Sequence, residues 1–369
     1  YQISGASETN TITFRGESRD SSLAALHYTT SNPSNDFTLA LSGTDHIAFE
    51  NLGILRTNGT LAVRITDQSH HTRFESCRLG NVTSPPETAD GHLSFIGNNM
   101  DGYNLDLRHP DGSWAGEVIV ENNFLNILTI DNSGPVSVTG NRIANPNGYA
   151  NQFAISRSSN VEVAGNRFRN LRVISDTTVV VRDNTIYQSR RAGFRSSIPG
   201  VYAENIQGIN VLNNHITQRN TDGGYPRARG VELFNASDAR VAQNEISLYC
   251  QGVANYYGDN IGVYARGTTT KNVVIQGNII QNASSIDFRY GIYVDKGDSI
   301  FVFGNHMNGS DLNARGYGMV CKDVTGTIQV DSNQVANYQT AGLHAKTTGQ
   351  QNSFSYNHIT HIRDLGILF

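Results

Sequence analysis

VVIQGNII, residues 273–280, is a short alternating strand-like run that leads into an asparagine, then any residue, then an apolar one. The same order returns as IGNNM at 96–100, ENNF at 121–124, GNRI at 140–143, GNRF at 165–168 and DNTI at 183–186. It continues as NNHI at 213–216, QNEI at 243–246, GNHM at 304–307, SNQV at 332–335 and YNHI at 356–359. The asparagines so marked are Asn98, Asn122, Asn141, Asn166, Asn184, Asn214, Asn244, Asn278, Asn305, Asn333 and Asn357, between 18 and 34 residues apart. Cys77 in ESCRL takes the same slot one repeat earlier, and Asn51 the one before it.

A fixed short core with a variable period is the signature of stacked coils joined by loops of free length. The runs VSVTG, VEVAG and VVIQG alternate with period two, which reads as strand, and capped helical periodicity is absent. An asparagine at each bend has two physical uses: it tolerates a left-handed backbone, and its amide can bond to the amide one coil above and below. A ladder of this kind satisfies polar groups that burial would otherwise leave unpaired. The expected fold is therefore all-β, a solenoid of about a dozen coils with an internal asparagine ladder.

Composition agrees. The chain has 369 residues, 36 Gly, 8 Pro and 16% charged residues, with a formal net charge of -4. That charge argues against a surface built to neutralise nucleic-acid phosphates, and no apolar run reaches the length of a membrane span. Cys77, Cys250 and Cys321 are too few and too scattered for a disulfide scaffold or a thiolate metal site. The chain starts at Tyr1 and stops at Phe369 inside strand-like sequence, so it reads as a segment of a longer protein, with residues 1–36 as entry strands and 37–369 as regular coils of a single domain.

From residue 200 onward each coil adds a strand that begins with glycine: GVELFN at 230–235, GVYARG at 262–267, GIYVDK at 291–296, GMVCKD at 318–323 and GLHAKT at 342–347. With these repeats the chain resembles a right-handed parallel β-helix of the pectate-lyase-like kind, built from PbH1-type repeats. The opening segments ISGASETNTITFRGES at 3–18, FTLALSG at 37–43 and HIAFENLGI at 46–54 further resemble β-helix regions of large exported surface proteins of Bacteroidota-type bacteria. The resemblance implies a secreted or cell-surface setting. It also implies that any glycan groove runs along the glycine-initiated strand.

Alternation sorts that strand. One outward column holds Tyr202, Glu232, Tyr264, Tyr293, Val320 and His344; the other holds Glu204, Phe234, Arg266, Asp295, Lys322 and Lys346. Only four lysines occur, Lys271, Lys296, Lys322 and Lys346, and three of them lie on or beside this face. A lyase needs a base and a cation beside a uronate carboxylate, for which Lys322, Lys346, Arg266, Tyr293 and His344 are the right types. A glycosidase needs two carboxylates, and Glu204, Glu232 and Asp295 are candidates. For a glycan-binding surface the candidates are Tyr202, Tyr264, Tyr293 and Lys296. A solvated face with opposite charges on adjacent rungs accounts for the same residues.

No metal site is expected. His358 and His361, without a helix, do not share a face; His70 and His71 sit in a turn; and no repeated Asp cluster supports the calcium sites found in pectate-lyase-like proteins. No cofactor motif is present. The basic loops 189–195 and 221–229 are long enough to overhang the face. Two functional classes follow: a structural or adhesive module that binds glycan, or a polysaccharide-active enzyme, lyase before hydrolase. Expected partners are a polysaccharide or surface glycan and neighbouring domains or chains that cover the solenoid ends, with no nucleic acid.

Overall fold

The computed structural model describes residues 11–17, 24–28, 37–56, 61–66, 69–84, 91–108, 116–131, 133–144, 153–190, 199–220, 228–250, 259–283, 289–309, 316–346 and 351–368. Every pairing between described strands is parallel, and no helix occurs among the described residues, so none is long and apolar enough to cross a membrane. Two compact units contain the chain, Tyr1–Phe168 and Arg169–Phe369.

In each unit a coil contributes a strand to each of three parallel sheets. The first sheet of the first unit stacks Ile12–Arg15, Ile47–Glu50, Thr72–Glu75, Leu93–Ile96, Val118–Glu121, Pro135–Thr139 and Ser159–Ala164. Alternation buries every second residue. Phe14, Phe49, Phe74 and Phe95 fall in register and stack at 5.1–5.3 Å, and Val120 and Val138 then continue the column. Stacking like on like buries Phe49, Phe74 and Phe95, with Phe14 exposed at the end of the column, and each aromatic pair adds about 0.5–1.5 kcal/mol beyond its burial.

The bend after this sheet holds the ladder. In the first unit the Cys77 N–H donates to Asn98 Oδ1, and Asn98, Asn123 and Asn141 each donate from backbone N–H and Nδ2 to the next asparagine at 2.8–3.0 Å. In the second unit the series runs Asn184, Asn214, Asn244, Asn278, Asn305, Asn333, Asn357. Cys77 thus sits where expected, and both it and Cys321 are buried free thiols.

Two details differ from the sequence reading. In ENNF the ladder residue is Asn123, not Asn122, and the position before Cys77 in the column is Leu52, not Asn51. The cause is a division of labour at the bend. The residue before each ladder position takes the left-handed conformation: Asn51, Ser76, Gly97, Asn122, Gly140, Gly165, Asp183, Asn213, Gln243, Gly277 and Gly304 all have φ between 53° and 64°. The ladder asparagines themselves have ordinary φ. They serve hydrogen bonding, while the residue before them serves the backbone: most often glycine, asparagine or aspartate, with Ser76, Gln243, Ser332 and Tyr356 in the same conformation.

Candidate functional site: a tyrosine ridge on the third sheet

In the second unit the third sheet stacks Leu171–Ile174, Val201–Glu204, Ala228–Phe234, Asn260–Arg266, the first half of Arg289–Phe303, Gly316–Val324, Ala341–Lys346 and Leu365–Leu368. Register places Tyr202, Glu232, Tyr264, Tyr293, Val320 and His344 in one column and Glu204, Phe234, Arg266, Asp295, Lys322 and Lys346 in its neighbour. Lys296 lies one place beyond Asp295, exposed, with φ 69° where the strand turns. Of the two basic loops, only residues 189–190 and 228–229 fall within the described residues.

The strands begin before their glycines, and that extra length brings in residues the sequence reading left out. Arg229, Ile261, Tyr290, Tyr317 and Ala341 form a further column. Tyr290 stacks on Tyr293 at 4.9 Å and on Tyr317 at 5.5 Å. Tyr264 stacks on Tyr293 at 5.2 Å, and His344 on Tyr317 at 5.7 Å. The result is one run of rings, Tyr264–Tyr293–Tyr290–Tyr317–His344. A tyrosine just before or two places after a strand-initiating glycine, as in RYGIY at 289–293 and GYG at 316–318, is the signal that could have found it.

Stacking decides what the ridge can offer. The tyrosine faces are turned toward one another, and the outer face of Tyr264 lies under the Arg229 and Arg266 guanidinium groups at 4.9 and 5.5 Å. Ring edges and phenol hydroxyls therefore remain for a ligand. Burial first, and neighbouring carboxylates and phenols second, push these hydroxyls up: Tyr290 to about 12, with Tyr293 and Tyr264 also raised. Tyr202 is likewise pushed up to about 12 by burial and by Glu204. All stay protonated near neutrality, so they act as hydrogen-bond donors and acceptors and not as bases.

At one end of the ridge lies an ion cluster. Glu232 is 2% exposed; its Oε2 accepts from Arg229 Nη1 at 2.7 Å and its Oε1 from Arg266 Nε at 2.8 Å. Arg229 Nη2 also reaches Asp259 Oδ2 at 2.9 Å. Burial alone would lower the Arg229 pKa, but the Asp259 and Glu232 carboxylates hold it above its ordinary value. Both Glu232 oxygens are occupied, so this carboxylate positions the arginines over Tyr264. A Glu232→Gln protein is expected to lose about 2–4 kcal/mol of stability, because it strands two partly buried guanidinium groups. Urea unfolding followed by circular dichroism measures it, and an unchanged midpoint would show the cluster to be dispensable.

At the other end the character is cationic. Lys322 and Lys346 are in register on adjacent rungs, and Lys322 Nζ is 3.8 Å from both Asp295 Oδ1 and Asp323 Oδ2. The His344 pKa is lowered by burial and by the Lys346 charge, which keeps its imidazole neutral.

Among solved structures, the chain is similar to the periplasmic alginate epimerase AlgG (10% identity, 84% of this chain and 77% of that one, TM-score 0.46). It is also similar to PfbA, a surface adhesin of Streptococcus pneumoniae (11% identity, 83% and 84%, TM-score 0.45). A third likeness is tailspike protein 3 of bacteriophage CBA120 (9% identity, 96% and 57%, TM-score 0.24). No curated protein matches the chain in sequence. Residues 171–318 match the family model for a right-handed β-helix region, and the fold is a right-handed parallel β-solenoid.

Proposed function

We propose that the chain is a structural and adhesive module of a secreted or cell-surface bacterial protein, and that its tyrosine ridge binds an acidic glycan without turning it over. The observation that carries this reading is the stacked run Tyr264–Tyr293–Tyr290–Tyr317 bordered by the column Arg266, Asp295, Lys322 and Lys346, which ends in two lysines in register. Phenol edges supply donors and acceptors for sugar hydroxyls at low conformational-entropy cost, since the rings already hold one another in place. Lys346, with Lys322 beside Asp295 and Asp323, supplies attraction for carboxylate or sulfate, while Arg266 is held by Glu232.

The test is a glycan array followed by calorimetry on the best ligand. A Tyr293→Phe/Tyr317→Phe double variant keeps the stack and removes two hydroxyls; it is expected to weaken binding by about 5- to 150-fold, at about 0.5–1.5 kcal/mol per hydrogen bond. Lys322→Ala with Lys346→Ala should weaken binding further and flatten its salt dependence. Undiminished affinity in both variants would remove the ridge as the binding surface.

A lyase is the second reading, favoured by the neutral imidazole of His344 beside Lys346, a base next to a cation. Appearance of unsaturated sugar absorbance on incubation with an acidic polysaccharide, lost in His344→Ala, would replace the binding module with the enzyme. A hydrolase has less support, because both oxygens of Glu232 are held by arginines.

A further inference from the structure

The first unit carries a second cluster, on a different sheet from the ridge. Ile47, Thr72 and Leu93 are in register on successive rungs of the first sheet, so the residues before them, His46, His71 and His92, stand in one column. The chain turns into the strand at this point, with φ 51° at His46 and 48° at His71. The His46 and His71 rings lie 4.1 Å apart at 5°, and His71 and His92 4.8 Å apart at 17°.

Asp45 closes the group. Its Oδ1 is 3.0 Å from His71 Nδ1 and 3.4 Å from His46 Nε2. Both distances sit close to ~3.3 Å, the edge of a tetrahedron with metal–ligand bonds of about 2.0–2.1 Å. One ligand atom from each of Asp45, His46 and His71 falls within 4.8 Å of the others; because the two rings stack at 5°, side-chain rotation is needed for both to point at one ion. Beside them an open cavity of about 190 Å³ is lined by His71, Arg73, His92 and Glu117, among others, leaving access from solvent.

We propose that Asp45, His46 and His71 form a binding site for a borderline first-row divalent cation of the Zn²⁺ class. Two imidazoles and one carboxylate suit zinc, copper or nickel, whereas calcium and magnesium take mostly oxygen ligands and find only one carboxylate here. His71 and His92 both line the cavity, so His92 or solvent is available as a further donor on that side. Histidines that look like solvent-facing turn residues in sequence are thus gathered by register, one rung above another.

Isothermal titration of the full chain with ZnCl₂ tests this. One site is expected whose affinity falls at least tenfold in His71→Asn and again in Asp45→Asn, with no matching site for CaCl₂. Asparagine at 71 retains tolerance for the left-handed backbone, and an unchanged circular dichroism melt confirms that the variants fold. His358→Ala/His361→Ala, at the histidine pair of the second unit, should bind Zn²⁺ as the parent does. Absence of zinc binding, or zinc binding equal in the parent and the folded His71→Asn and Asp45→Asn variants, would overturn the proposal and leave an ordinary histidine–aspartate ion cluster.

Discussion

An Asn278→Ala protein is expected to be less stable than the parent by about 3–5 kcal/mol, at about 1–3 kcal/mol for each buried polar group left without its partner. Asn278 is fully buried. Its Oδ1 accepts from both the backbone N–H and the Nδ2 of Asn244, at 3.0 and 2.9 Å, and its Nδ2 donates to Val241 O and Asn305 Oδ1, each at 2.9 Å. Alanine removes all four bonds and offers nothing in return to the buried Asn244 N–H. The loss is greater than for a typical side-chain hydrogen bond because ladder members polarise one another. Urea unfolding of Asn278→Ala beside the exposed control Gln207→Ala is the measurement. Equal midpoints for the two would show that the ladder is ornamental.

Gly262→Ala is expected to cost about as much, by steric conflict instead of lost bonding. A Cβ at this position would lie 2.5 Å from Gly291 O on the next rung and 2.5 Å from Ile280 Cγ2 on the short strand after the asparagine bend. Gly230, Gly291, Gly318 and Gly342 meet the same pair of neighbours, the carbonyl of the next glycine and an apolar side chain after the ladder. One methyl group must therefore displace backbone on an adjacent coil, where overpacking commonly costs about 1–3 kcal/mol and more when backbone has to yield. Ile280→Ala empties a buried site and costs stability by itself; measured against that single variant, Gly262→Ala should cost less than in the parent but still part of that loss, because the Gly291 O contact remains. At Gly366 an added Cβ would meet nothing within 4 Å, which provides a control in which Gly366→Ala is close to neutral. No cost of Gly262→Ala in the Ile280→Ala background would show that the carbonyl contact is soft.

These two expectations explain why the fold is so legible in sequence. Asparagine and glycine recur at fixed phase because each has a local requirement that no other residue meets, and period-two alternation states which residues face inward. The columns of the third sheet followed from counting, since parallel in-register stacking carries each position onto its counterpart. Where counting slipped, at Asn122 and Asn51, two neighbouring residues at the bend had different tasks, and an asparagine can perform either. Backbone conformation separated them.

The candidate sites were less legible, for a geometric reason. Tyr264 and Tyr293 were placed by alternation, but Tyr290 and Tyr317 lie on the other side of the strand glycine, and only the pairing of whole strands shows that they join the same stack. Glu232 reads in sequence as a free outward carboxylate; it is buried because Arg229, three residues away, and Arg266, one rung on, close over it. Asp45 and His46 are separated from His71 by a whole coil. The sequence by itself determined the all-β repeat, the inward faces and the polar ladder, because each of these depends on spacing along a single chain. Ring stacking, ion pairing and the gathering of histidines were decided by the tertiary structure, because they depend on side-chain distances across rungs that variable loops hide from any count of residues.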